Sequence, residues 1–562
     1  MPSPIPLNKC CAAFAVLALS TAPATAQAPF SVEIELPAAT VAEISELGLE
    51  TPITGRVYFI VTRDSASEPR NQTDVTGVPF WGMDVRDLSA GEAVTIAAND
   101  PSVTGYPIGS LRDLPAGDYY VQAFLNVYTT FHRSDGSVVE MHQETGEGQN
   151  LWRSPGNAHS AVRRMHLDPS QGGTLALSLS EVIPPIEPLG PGDVLQQGNP
   201  VDTEHVKFVK IRSDLLSEFW GRDMYIGANV LLPRGYEQNP EMEYPVIYLQ
   251  GHFPGRRAPL GFREGSDDGF TQFWLSDDAP RMIAISIRDA NPYYDTSYSV
   301  NSANLGPYGD AITDELIPFL EGRFNIISDP SARVLAGGST GGWEALAMQI
   351  QHPSMFAGAW GWCPDAVDFQ YHQIVDIYDD PNAYYVEYPW MRVERPSNRR
   401  PDGNIVFTMR DENLFELAVG PDTRSGGQWA VWEAVYGPIG DDGYPARIWD
   451  PVTGVIDHQV AEYWRENYDL RYILERDWET LGPQLRGKLH VAVGDMDSYY
   501  LNNAVHLLED FLESTTDPVA NAEFQYGRGE PHCWIGHSPN RAGEEMNNAE
   551  FVRVVAEYFA GR

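Results

Sequence analysis

The spacing of apolar positions changes character once along this chain, near residue 200, and the change separates two kinds of structure. From about Phe30 to Glu181 apolar and polar residues alternate in short runs, as in Val32-Glu33-Ile34-Glu35-Leu36, Gly55 to Val61 and Asp118 to Tyr128. A period of two, with Gly, Pro and Asp clusters between runs, predicts short strands in an antiparallel sandwich of Ig-like type, closed by Leu175 to Leu179. The run Ile183-Pro184-Pro185-Ile186-Glu187-Pro188 cannot pair as a central strand, because proline has no N–H to donate, so 183–204 reads as a stiff linker. From about His205 solid apolar runs alternate with helical patterns. Tyr225 to Pro233, Tyr244 to Leu249, Met282 to Ile287, Arg333 to Ala336, Phe356 to Trp362 and Leu489 to Gly494 predict buried strands. Asp310 to Phe324 predicts an amphipathic helix with Ile312, Leu316, Phe319 and Leu320 on its buried face.

That alternation implies an α/β fold: a doubly wound, mostly parallel sheet whose site lies at the carboxyl ends of the strands. The interval 365–487 is too long for a plain connection and is expected to form a cap insertion over that site. The domain plan is then a leader at 1–26, an all-β sandwich-like domain at 29–182, the linker, and a catalytic domain at 205–562. Each side is expected to close a core of its own.

Chemistry is suggested first by Gly337-Gly338-Ser339-Thr340-Gly341-Gly342, a G-x-S-x-G elbow between a predicted strand and the helix-forming run Trp343 to Ile350. A strand can turn directly into a helix there because neighbours without side chains remove the clashes. Ser339 would stand exposed as a nucleophile, with the backbone N–H of Thr340 aimed where an oxyanion develops. A serine nucleophile needs an imidazole base, and the base needs a carboxylate. Asp497 follows the strand ending at Gly494 and His532 follows the predicted last strand Phe524 to Tyr526, in the order Ser, Asp, His. Asp495 and Asp365 remain alternative acids, and His537 an alternative base. The second oxyanion donor is expected from the loop after Leu249, at the N–H of His252 or Phe253.

Composition narrows the function classes. Lys and Arg total 38 against 78 Asp and Glu, a formal charge of -40, which repels phosphate backbones and anionic lipid surfaces, so nucleic acid is excluded as a partner. Lys9, the apolar run Cys10 to Leu19 and an A-x-A site at Ala24-Thr25-Ala26 read as a cleaved signal peptide, implying a periplasmic or secreted protein. No later run reaches membrane length. Loss of the leader leaves Cys363 and Cys533, an even number in an oxidising compartment. Each follows a strand on the face where the site loops gather, so a disulfide between them is expected. No residue pattern suggests a metal or another cofactor.

Residues from about 205 to 562 resemble the putative-esterase family of α/β-hydrolases, which includes enterochelin-esterase-like and feruloyl-esterase-like enzymes. The pieces that carry the resemblance are Leu232 to Tyr236, Tyr244 to His252, Gly306 to Asp310 with Glu315 to Pro318, Gly337 to Gly342, Gly494 to Asp497 and His532 to Trp534. Gln250-Gly251 stands where the family usually carries His-Gly, and the insertion is far longer than usual. The resemblance implies an acyl-ester hydrolase using Ser339, Asp497 and His532, acting on a small-molecule or saccharide-linked ester. A serine peptidase on the same fold and a non-catalytic carbohydrate- or surface-binding protein are the alternatives. Aromatic residues of the insertion, Tyr384, Tyr385, Tyr388, Trp390, Trp429 and Trp432, would either stack on a ring of the substrate or fill the core of the cap.

Overall fold

The computed structural model describes residues 29–142, 150–185, 201–252, 257–293 and 296–561. The leader, most of the linker and Phe253 lie outside these residues. Among the described residues no helix is long and apolar enough to cross a membrane.

The C-terminal half is organised by one eight-stranded sheet. Its strands lie side by side in the order Val206–Ser213, Met224–Leu231, Ile283–Arg288, Val246–Gln250, Arg333–Gly338, Gly358–Trp362, Leu489–Gly494 and Glu523–Gly527. The first two pairings are antiparallel and the rest parallel. The central strands are buried on both faces, which is why they read as solid apolar runs rather than alternating ones. The chain leaves Val246–Gln250 toward one edge and returns on its other side at Arg333–Gly338. A crevice opens at such a reversal, at the carboxyl ends of the strands.

The helix expected over 310–324 forms with a wide turn inside it. Tyr308–Asp310 and Ile317–Arg323 are α-helical, and Ala311–Leu316 between them is a π-helix. The extra residue in that turn moves the buried stripe onto Ile312, Leu316, Ile317 and Leu320. Phe319, expected on the buried face, is instead 40% exposed.

The N-terminal half is two packed sheets. In the smaller one Ser31–Glu35 lies between Thr174–Ser178 and Ala93–Ala97, and its pairing with Thr174–Ser178 is parallel, so the sandwich is not wholly antiparallel. The larger sheet centres on Ile53–Thr62 and Gly117–Val127. Val32, Ile34, Val57, Phe59, Val121 and Leu125 fill the space between the sheets. The outer face of the larger sheet is also apolar: Tyr58, Ile60, Phe80, Phe124 and Trp152 pack against Ala418, Val419 and Phe415 of the helix Met409–Val419. The guanidinium of buried Arg56 donates to the carbonyl of Ala418, the Tyr58 hydroxyl to that of Val419, and Arg424 pairs with Asp84 at 2.5 Å. The sandwich closes a cluster of its own, the core around the eight-stranded sheet also takes in Phe131, Val139 and Met141, and a further cluster is built from both halves.

The interval 365–488 carries two hairpins and the helices Met409–Val419, Gln428–Tyr436, His458–Tyr468 and Leu470–Leu485. Its aromatic residues divide by position. Tyr384, Trp429 and Trp432 are buried core, while Trp390 at a hairpin tip is 97% exposed and Tyr388 beside it is largely so.

Candidate active site

Ser339 sits between the strand Arg333–Gly338 and the helix Thr340–Gln351 with φ 59° and ψ -125°, a conformation that L-residues adopt only under constraint. Two glycines explain how the turn closes. A Cβ on Gly341 would lie 2.3 Å from the Gln250 carbonyl oxygen, and one on Gly337 would lie 2.3 Å from that of Gly341. The elbow therefore presses against the neighbouring strand with no room for side chains. The Ser339 N–H donates to the Trp362 carbonyl at 2.9 Å, which ties the elbow to the strand on its other side. Thr340 opens the helix, so its N–H has no carbonyl one turn back and joins the positive end of the helix dipole.

Asp497 and His532 arrive from the two strands at the far edge of the sheet. Asp497 is wholly buried in the loop after Leu489–Gly494, where its Oδ1 accepts the N–H groups of Tyr499 at 2.9 Å and Leu501 at 3.2 Å. Its Oδ2 lies 2.7 Å from His532 Nδ1, and His532 Nε2 lies 2.8 Å from Ser339 Oγ. A carboxylate only accepts, so Nδ1 carries the proton and the Nε2 lone pair faces the serine hydroxyl. Burial by itself disfavours the imidazolium, but the hydrogen bond and charge of Asp497, with a contribution from Cys533, outweigh it and push the His532 pKa up to about 10. The Tyr499 ring stands edge-on to the imidazole at 5.1 Å and helps fix its plane.

The competing residues occupy other positions. Asp495 is exposed and its Oδ1 accepts the Gly529 N–H at 2.6 Å, joining two loops. His537 is exposed, with its ring edge-on to Trp534 at 4.8 Å and its backbone N–H on Gln525. Asp365 is buried on the flank of the nucleophile. Ser339 Oγ is 3.5 Å from its Oδ1, while its Oδ2 accepts from the Tyr298 hydroxyl at 2.8 Å, Thr340 Oγ1 at 3.0 Å and Trp432 Nε1 at 3.1 Å. Gln428 Nε2 donates to the same tyrosine hydroxyl at 2.6 Å. The Thr340 hydroxyl has one proton and gives it to Asp365, so His252 Nε2, 2.6 Å away, must donate to that oxygen. The His252 ring is thus held on Thr340 rather than on the nucleophile.

Tyr298, Gln428 and Trp432 were not singled out for this role by the sequence, because they lie in stretches without motifs and reach the elbow only through the fold. In the structure Tyr298 and Ser299 are consecutive non-glycine residues with positive φ, 59° and 55°.

The expected disulfide is not formed. Cys363 and Cys533 are free thiols, the first buried and the second exposed, and their sulfurs are not at bonding distance. Both residues do reach the same place: the two sulfurs and one ring nitrogen of His532 all lie within 4.8 Å of one another. Each cysteine has positive φ, 36° at Cys363 and 70° at Cys533. Burial raises the pKa of Cys363, whereas the hydrogen bond from Cys363 and the neighbouring His532 lower that of Cys533.

The family described as "Putative esterase" matches residues 217–413, a segment that includes Ser339 and Asp365 and ends before Asp497 and His532. No curated protein matches the chain. Among solved structures it is similar to a ferulic acid esterase at 18% identity, covering 59% of this chain and 92% of that one with a TM-score of 0.34. It is also similar to the fluorophosphonate-binding serine hydrolase F of Staphylococcus aureus at 12% identity, covering 63% and 97%, TM-score 0.33. An S-formylglutathione hydrolase from Agrobacterium tumefaciens is similar at 11% identity, covering 64% and 95%, TM-score 0.31.

Proposed function

We propose that this chain, which carries a putative-esterase domain over residues 217–413, is an exported serine carboxylester hydrolase that works through an acyl-enzyme. The observation that carries the reading is the continuous hydrogen-bonded line from Asp497 through His532 to Ser339, at 2.7 and 2.8 Å. In this reading Ser339 Oγ attacks the ester carbonyl carbon as its proton passes to His532 Nε2, and Asp497 stabilises the imidazolium that results. The oxyanion is met by the Thr340 N–H at the helix start and by an N–H from the loop at His252 or Phe253. Collapse expels the alcohol, which takes the proton from Nε2. Water then enters, gives a proton to the same nitrogen, and its attack on the acyl carbon releases the carboxylic acid and restores Ser339.

The interval 365–487 serves as the cap. Gln428 and Trp432, from its helix Gln428–Tyr436, reach the polar cluster beside the elbow, so the cap and the nucleophile share hydrogen bonds. The test is mechanism-specific labelling. A fluorophosphonate should add once, at Ser339, and p-nitrophenyl esters should give a burst of nitrophenol equal to the enzyme present. Ser339→Ala should lose the label, the burst and several orders of magnitude of turnover. Turnover within about tenfold of wild type in Ser339→Ala would place the nucleophile elsewhere.

A further inference from the structure

Cys363, His532 and Cys533 form the one group of three metal-ligating side chains, among the described residues, whose donor atoms all lie within 4.8 Å of one another. We propose that these three side chains form a capture site for a thiophilic divalent cation of the zinc type, and that occupancy switches the esterase off. Two sulfurs and an imidazole nitrogen are the donor set such a cation prefers, with bonds of about 2.3 Å to sulfur and about 2.0 Å to nitrogen. Tetrahedral geometry then puts the donors about 3.5 to 3.8 Å apart.

The site is built rather than accidental in position. Cys363 follows the strand Gly358–Trp362, next to the elbow strand, and its N–H is tied to the Ala492 carbonyl at 2.6 Å. Cys533 directly follows His532 in the loop after Glu523–Gly527. Cys363 is buried and Cys533 exposed, so one donor anchors the cation and the other opens its way in from solvent.

The inhibitory consequence follows from the imidazole. Both ring nitrogens of His532 are in use, one on Asp497 and the other on Ser339. Coordination through Nε2 takes the lone pair that accepts the serine proton, and coordination through Nδ1 breaks the bond to Asp497 and moves the ring proton to Nε2; either way the base that turnover needs is lost. Binding displaces the two thiol protons to solvent, involves no change of oxidation state, and leaves a fourth position for water. The consequence for activity rests on the serine-esterase reading; the binding itself does not.

The experiment uses the full-length mature chain, reduced, freed of reductant, and shown to hold two titratable thiols when unfolded. Co2+ should produce the near-ultraviolet thiolate charge-transfer absorption of a bound cation at one equivalent, and Zn2+ should displace it. Ester hydrolysis should fall in step with occupancy and return on adding EDTA. Cys363→Ser and Cys533→Ser should each weaken Zn2+ binding and inhibition, relative to the variant's own metal-free rate, by about 100-fold or more. Ser339→Ala should keep the Co2+ absorption, which reads binding without turnover. Absence of the thiolate absorption in the reduced protein, or its persistence in both cysteine variants, would overturn the site even if ester turnover is intact. Co2+ absorption without any loss of turnover would overturn the switch. If the protein binds Co2+ but hydrolyses no ester, it is the esterase reading that fails.

Discussion

Replacing Asp497 by Asn isolates the part of the line from carboxylate to serine that geometry makes sharpest. Oδ1 of Asp497 already accepts two backbone N–H groups, from Tyr499 and Leu501. An amide in the same place must turn its oxygen toward those donors, because its NH2 group cannot accept from them. The NH2 then faces His532 Nδ1, where the carboxylate oxygen had stood at 2.7 Å. Two donors cannot share that contact, so Nδ1 gives up its proton and the imidazole takes the other tautomer, with a hydrogen on Nε2 pointing at Ser339 Oγ. The base can no longer accept the serine proton. The expected loss is about 10⁴-fold in kcat, or about 5 kcal/mol of barrier at about 1.4 kcal/mol per decade. Stability should change little, about 1 kcal/mol, since the two backbone hydrogen bonds remain. Steady-state hydrolysis of a p-nitrophenyl ester gives kcat, and thermal unfolding checks the fold. A variant that folds normally and keeps kcat within about tenfold of the parent would refute the assignment of Asp497.

Asp365→Asn should cost far less in kcat than Asp497→Asn, because Asp365 touches neither nitrogen of His532 in the hydrogen-bonded line; the reverse order in side-by-side kinetics would make Asp365 the acid. Gly341→Ala should cost about 1 to 3 kcal/mol or prevent folding, because the added carbon meets the Gln250 carbonyl at 2.3 Å, whereas Gly322→Ala, also in a helix but with open space around it, should not destabilise the protein. Phe415→Ala, which removes a ring packed edge-on to Phe80 and Tyr106, should lower the unfolding midpoint without changing KM, and an unchanged midpoint would show the shared cluster to be energetically idle. A fragment beginning at residue 201 should be less stable than the whole chain and prone to associate through the uncovered helix Met409–Val419. An equally stable monomer would mean that the two halves are independent.

The elbow that carries the candidate nucleophile was legible in the sequence because its constraints are local. A strained turn between strand and helix demands small neighbours, and Gly337, Gly338, Gly341 and Gly342 announce it within six residues. The solid apolar runs likewise marked strands buried on both faces, and the order Ser339, Asp497, His532 marked which loops carry the candidate acid and base. Periodicity was less informative where geometry departs from the ideal: the π-turn at Ala311–Leu316 displaced Phe319 to the surface, and no composition signal distinguishes that turn from a regular one. Only the tertiary structure shows which carboxylate lies beside an imidazole. Asp495, Asp497 and Asp365 all follow strands on the same side of the sheet, and of the three it is Asp497 that lies against His532, with its other oxygen held by the N–H groups of Tyr499 and Leu501. It also decided what surrounds the nucleophile, since Tyr298, Gln428 and Trp432 are far apart in sequence and meet at Asp365 only when helices pack over the sheet. The cysteine pair shows the same division. Its placement on one face was readable from strand order, but whether two sulfurs bond or stop short depends on the distance between two loops, which no local pattern encodes.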